Sequence, residues 1–387
     1  MARKILLISP TPTHPETAGN RARVKSLLLG MAGMGHEVHF LHIEMEQGDR
    51  EMMREAWGSR YYTVPYEKPG RSIRSRLRRR LLGAFIEDAR YIFSIDEWYD
   101  SQIDSTLKAL HQAHEYDTVI VEYVFFSRAL ECFEGGVLKI IDTHDAFANR
   151  HRHYLKKGNI PKWFSTTMRE EGKGFDRADV IIAIQDKERD LFSRQTRARI
   201  ITVGHMVDRI GYDEDILIDG KMLFVGSGNP INVEGARYFI DKVLPRIRRR
   251  LPEAVLYVVG GVCDCIEGSP GVEKLGRVED LREIYASAAV VVNPVFFNTG
   301  LSIKNMEAIG YSRPLVTTPG TVNGMERGIN KSFLVAREPS QFAQAVIRVL
   351  SDRIYARELA AEAGNFASSW NEAVTRQLEE VLSVRQA

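Results

Sequence analysis

The sequence predicts an α/β protein made of two Rossmann-like, doubly wound parallel-sheet domains in tandem. Three observations lead there. The chain has 387 residues, too many for one ordinary core and about right for two domains. Short β-branched runs alternate with helical patterns, the arrangement of a parallel sheet covered on both faces. The alternation then restarts after a polar stretch at 208–221. Residues 1–207 are accordingly read as the first domain, 208–221 as a linker and 222–369 as the second domain.

Residues 4–9 read as a buried first strand. Residues 18–34 place Val24, Leu27, Leu28 and Met31 at helical spacing and end at Gly33 and Gly35. A second strand covers 37–43. Further apolar runs lie at 118–123, 138–142, 180–184 and 199–203, with a helical 187–194 between the last two. In the second half, 222–225 is a strand, 233–250 a helix and 255–259 a strand stopped by Gly260-Gly261. A helix at 281–287, a strand at 290–293, a helix at 303–309 and a strand at 315–317 follow. Three helical patterns, at 340–350, 355–366 and 372–384, close the chain.

Apolar residues make up 44% and charged residues 27%, a globular and not a disordered balance. No apolar run approaches the ~20 residues of a membrane-spanning helix. The apolar start, Ile5–Ile8, is short before Ser9-Pro10 and fits a strand better than a signal segment; a cytoplasmic protein is expected. Cys132, Cys263 and Cys265 are an odd set, which suggests loop thiols and no disulfide framework. The net charge of +2 implies no general attraction to nucleic acid.

Ligands of open parallel sheets bind beyond the carboxyl ends of the strands, so two such domains facing each other make a cleft. The segment 290–319 reads as strand, loop with Gly300, helix start through Leu301 and Ser302, then Lys304 and Glu307. Gly300 admits a ligand close to the backbone, and amides opening a helix favour a diphosphate. Lys304 adds a mobile positive charge. One turn further, the Glu307 carboxylate can take both hydroxyls of a ribose.

This order resembles the donor-binding signature of family-4 glycosyltransferases, which have the GT-B fold and mostly retain anomeric configuration. That pattern is Glu, seven residues, Glu, then Ala and a Gly-x-Pro turn. Glu307-Ala308 matches the second Glu, which holds the nucleotide ribose in that family, while Thr299 stands at the first. The form here, Gly-Leu-x-x-Lys-x-x-Glu-Ala from Gly300, is similar to a subset of the family. Residues 222–235 resemble the family's strand and Val-Gly turn, with Gly226 at the turn. Ser227 stands where most members carry an Arg, and Asn232 near the place of a Lys, both of which grip the diphosphate in the family. Arg277, in Gly276-Arg277-Val278, falls in a loop that flanks the base in that family.

On the acceptor side, Gly19 matches the family's glycine-rich turn after the first strand, and Arg21 would touch donor phosphate or an anionic acceptor. His144, after the strand at 138–142, matches a histidine beside the donor sugar. Asp145 is read as the only nearby carboxylate able to act as a general base in an inverting enzyme. A metal reading of His144, Asp145, His151 and His153 is set aside, because the resemblance implies metal-free catalysis with no cofactor besides the nucleoside diphosphate sugar. Retention as the family performs it needs chiefly stabilisation of the leaving diphosphate, for which Lys304 would be the main charge. The resemblance also implies a last helix, 370–387, crossing back to the first domain, with Trp370 as its hinge.

Arginines at 71, 74, 76, 78, 79 and 80 precede an apolar 81–86. The run reads either as a solvated helix face or as a contact with an anionic membrane surface, peripheral on the inner face, which would suit a lipid-linked acceptor as well as a glycan. Two other readings stay open: another GT-B activity using Asp145, inverting or epimerising, and a non-catalytic GT-B scaffold, which Thr299, Ser227 and Asn232 would allow.

Overall fold

The computed structural model describes residues 2–16, 18–70, 77, 83, 88–156, 158, 160–161, 163–212, 218–278, 280–297 and 300–384. The chain divides into two compact units. The first comprises Met1–His14, Leu27–Val203 and Gln377–Ala387, and the second Pro15–Ser26 and Gly204–Arg376.

The first unit is a parallel sheet of β1 (Lys4–Ser9), β2 (Glu37–Ile43), β3 (Tyr61–Val64), β4 (Thr118–Glu122), β5 (Leu138–Asp142), β6 (Val180–Ala183) and β7 (Arg199–Thr202). Its order is β3-β2-β1-β4-β5-β6-β7. Ile5, Leu6, Leu7 and Ile8 are all fully buried, because helices cover both faces of the sheet; hence the unbroken apolar runs. Each such side chain contributes roughly 1.5–3 kcal/mol through burial. Around β4 and β5 the core turns aromatic, with Trp98, Phe125, Phe126, Phe147 and Phe164 packed together.

The second unit repeats the plan with β8 (Ile218–Val225), β9 (Val255–Val259), β10 (Val272–Gly276), β11 (Ala288–Asn293), β12 (Leu315–Thr317) and β13 (Leu334–Val335), in the order β10-β9-β8-β11-β12-β13. In both sheets the order reverses beside the first strand, between β1 and β4 and between β8 and β11. Those reversals are where open α/β sheets hold ligands.

Three strands give no sequence signal, and all lie at sheet edges: β3, β10 and β13. An edge strand is covered less and can stay short or polar; Glu273, Lys274 and Leu275 of β10 are exposed. β8 begins at Ile218, inside the stretch read as linker, and Ile218 pairs with Ala288. Its polar Lys221 is accommodated by donating to Ser287 Oγ at 2.6 Å and lying over the Tyr257 ring.

The two helices expected at 355–366 and 372–384 are one, Arg353–Ser383. No proline interrupts it, and Gly364 is kept where a Cβ would lie 3.0 Å from Ser312 Oγ. Trp370 therefore sits inside a continuous helix and not at a break. Its Nε1 donates to the His205 carbonyl at 2.7 Å, while Asn371 exchanges hydrogen bonds with the Val207 backbone. Together they fasten residues 204–207 to the helix. Among the described residues no helix is long and apolar enough to cross a membrane. The arginines at 71–80 lie outside the described residues.

Candidate active site

In the second unit the site is built at the carboxyl ends of β8 and β11. After β8 the chain turns through Gly226, whose N–H donates to the Val259 carbonyl at 2.9 Å. Asn229 caps the helix Pro230–Tyr238 by accepting from the Asn232 amide. The Asn232 side chain folds back and donates to both the carbonyl and the Oγ of Ser227, each at 3.1 Å. Its remaining oxygen accepts from Lys304 Nζ at 2.7 Å. Gly226, Ser227, Asn232 and Lys304 thus form one connected cluster, although they come from two separate motifs.

Lys304 and Glu307 lie on the helix Ile303–Gly310, which follows β11. Ser302 makes no side-chain cap there; its Oγ turns inward and accepts from Asn293, which also donates to Asn305. Leu301 is buried beneath. The helix therefore starts from a braced, neutral base with its dipole uncapped by side chains, an arrangement that favours an anion. Burial lowers Lys304 to about 8, against the pull of Glu307, and its ammonium lies 5.0 Å from the centre of the Phe224 ring. Burial raises Glu307 to about 7, opposed by Tyr285 and Lys304 and reinforced by the charges of Glu16 and Asp208. The Tyr285 hydroxyl donates to Glu307 at 2.9 Å, and its ring stacks on Tyr311 at 4.8 Å.

Gly19 joins this site. A Cβ there would lie 3.1 Å from Ile303 Cγ1, so the turn that opens the helix Gly19–Gly33 rests on the start of the Lys304 helix. Arg21 donates to the Pro15 carbonyl at 3.1 Å. The sequence reading passed over Arg23, which is fully buried and donates to the Gly204 carbonyl. Arg277 is exposed and paired with Asp264 at 3.0 Å. Gly300 is described; Thr299 lies outside the described residues.

His144 belongs to a second cluster, in the first unit. Glu122 and Asp142 are the last residues of β4 and β5 and are register partners. Both are fully buried. His144 Nε2 is hydrogen-bonded to Glu122, with Asp142 at 3.7 Å. The imidazole stacks on Tyr123 at 4.3 Å. His144 and Tyr123 both have left-handed backbones, φ 57° and 70°, conformations that non-glycine residues keep only where surroundings impose them.

Asp145 is not the only nearby carboxylate, contrary to the sequence reading. Glu122 and Asp142 face the imidazole, and Glu188 is also near: burial, together with the charges of Asp145 and Asp142, pushes it well above the usual carboxylate range. Parallel register brings them together, and linear spacing hides this. Asp145 itself pairs with Arg150 at 3.1 Å. Of the residues weighed for metal, His151 is buried and bonded to Ser165, and the His153 side chain is outside the described residues. Among the described residues, Glu122, Asp142 and His144 are the group whose ligand atoms all lie within 4.8 Å of one another. In this structure they close on themselves through the Glu122–His144 bond.

Residues 219–352 match the family described as "Glycosyl transferases group 1". The chain is 21% identical over 401 residues to an uncharacterized 44.6 kDa protein in the cps region of Klebsiella pneumoniae, with 94% of this chain and 95% of that protein covered. Sucrose-phosphate synthase from Thermosynechococcus elongatus superposes with a TM-score of 0.66 at 14% identity, covering 98% of each chain. The pneumococcal O-GlcNAc transferase GtfA, solved with UDP and GlcNAc, superposes with a TM-score of 0.68 at 10% identity, covering 99% of this chain and 100% of that one.

Proposed function

We propose that this family-4-like glycosyltransferase of GT-B fold moves a sugar from a nucleoside diphosphate sugar to a glycan or lipid-linked acceptor, with retention and without metal. The observation that carries the reading is the pair Lys304 and Glu307, one turn apart on a single short helix beside the glycine turn at 226. Lys304 and the amides opening its helix take the diphosphate, while Glu307, braced by Tyr285, takes the ribose hydroxyls. Gly226, Ser227, Asn232, Gly300, Leu301 and Ser302 shape the wall around it, with Gly19 and Arg21 near the helix start and Arg277 toward the base. The UDP bound to GtfA supports a nucleoside diphosphate. The cps-region relative supports polysaccharide synthesis.

Chemistry follows from the charges. Departure of the diphosphate develops negative charge, which Lys304 stabilises in a site partly shielded from water. His144, held at Nε2 by Glu122, meets the donor sugar. Retention follows the resemblance; Asp145, the carboxylate an inverting enzyme would use as base, is paired with Arg150 at 3.1 Å. The scaffold reading draws on neutral Ser227 and Asn232, but Asn232 here orients the very lysine the donor needs.

Thermal unfolding against UDP, GDP, ADP and their sugars tests the reading on wild type and Glu307→Ala. A shift with one base, lost in the variant, supports it; no shift with any donor would leave the scaffold. Turnover persisting in EDTA and an unchanged anomeric configuration in the product, read by proton NMR, test the absence of metal and retention. Flotation with anionic vesicles, on wild type and a variant with 71–80 neutralised, tests a peripheral membrane location on the cytoplasmic side.

A further inference from the structure

The loop between β5 and the helix Arg150–Leu155 carries His144 and Asp145, and it includes two left-handed non-glycine residues, His144 and Asn149. Something must impose that path. At one end, the amide and hydroxyl of Thr143 donate to the Ile182 carbonyl at 3.2 and 2.9 Å. At the other, the Asn149 amide donates to the Thr166 carbonyl, and the Thr166 amide to that of Phe147. The middle is held by a side chain. Glu171 Oε1 accepts from the Phe147 amide at 2.6 Å and the Ala148 amide at 3.3 Å.

Glu171 is fully buried on the helix Met168–Phe175. That helix packs closely against its neighbours at two glycines. A Cβ at Gly172 would lie 2.5 Å from the Gln195 carbonyl, and one at Gly174 would lie 2.6 Å from Val124 Cγ2. Among the described residues, the groups acting on the Glu171 charge are the two amides and Gln195; burial still pushes the carboxyl up to about 7. A buried carboxylate answered by backbone amides is a costly choice for packing alone. It is a sound choice for fixing two successive N–H groups that an apolar side chain would strand.

We propose that Glu171 is the positioning residue for His144, clamping the loop that sets the imidazole against Tyr123 and Glu122. The proposal rests on the reading of His144 as the group that meets the donor sugar. Glu171 itself touches neither donor nor acceptor.

The test compares Glu171→Ala with Glu171→Gln, which keeps an acceptor oxygen in the same place. Three signals are read: amide hydrogen exchange over 144–150, the His144 imidazole resonance (assigned by its loss in His144→Asn), and hydrolysis of UDP-glucose, UDP-N-acetylglucosamine and GDP-mannose. In Glu171→Ala, exchange at 147 and 148 rises roughly tenfold or more, the imidazole resonance moves, and kcat falls about tenfold with KM nearly unchanged, since Lys304 and Glu307 still hold the nucleotide. Glu171→Gln restores all three. Should the alanine variant not fold, Glu171→Asp, one methylene short of the amides, takes its place. Unaltered exchange and resonance in the alanine or aspartate variant overturn the proposal, as does a Gln variant as impaired as Ala. A wild type that hydrolyses none of the three sugars counts against the function, while exchange and resonance still decide the clamp.

Discussion

Replacing Lys304 with Met should move stability and donor affinity in opposite directions. The fall of the Lys304 pKa from an ordinary 10.5 to about 8 disfavours the folded ammonium by about 3 kcal/mol, at roughly 1.4 kcal/mol per pH unit. The sign follows from linkage. The unfolded chain holds this proton more tightly, so at pH 7 the whole penalty is present, and it is relieved as pH rises from about 8 towards 10.5. Methionine removes the penalty but strands Asn232 Oδ1, at a cost of about 1–2 kcal/mol. The net gain is about 1–2 kcal/mol, or roughly 2–8 °C in the unfolding of the second unit. A charge-assisted hydrogen bond to phosphate is worth about 1.5–3 kcal/mol, so UDP should bind roughly 10- to 150-fold more weakly. Calorimetric unfolding at pH 7 and pH 10, with UDP titrated into both proteins, measures all of this. A variant that unfolds several degrees lower without ligand yet keeps the wild-type UDP affinity would refute the reasoning.

Three further outcomes are expected. UDP affinity in the wild type should peak between pH 7 and 8, because Glu307 becomes a carboxylate above about 7 and Lys304 loses its proton above about 8; titration calorimetry at pH 6, 7.5 and 9 should lose the acid limb in Glu307→Gln. Arg150→Met should destabilise the first unit by about 1–2 kcal/mol by removing the partly buried ion pair with Asp145, and adding Asp145→Asn should recover part of that in denaturant melts. Gly260→Ala should cost about 2–4 kcal/mol and broaden unfolding of the second unit alone: the residue sits at φ 97°, and its Cβ would lie 2.4 Å from the Gly226 carbonyl.

The central strands were legible because helices cover both faces, so burial demands apolar residues throughout. β1 and β11 show this plainly. Edge strands β3, β10 and β13 carry no such demand and were missed. The proposed donor segment is local, since Gly300, Lys304 and Glu307 lie within one loop and the helix that follows it, so their order in the sequence already places them together. The closing helix runs unbroken through Trp370, with Ala360, Ala363, Ala367, Val374, Leu378 and Val381 buried along one face, because backbone continuity needs only the absence of a breaker.

Order in the sequence therefore determined the two-sheet plan, the helix carrying Lys304 and Glu307, and the histidine after β5. Tertiary structure alone decided which charges meet. Parallel register set Glu122 beside Asp142 under His144, and the turn at 19 came to rest on Ile303. A buried carboxylate from residue 171 reached the amides of 147 and 148, which are distant along the chain. The physical reason is that local propensity and burial act on neighbours in sequence. Pairing of buried polar groups acts on neighbours in space, and no linear spacing records them.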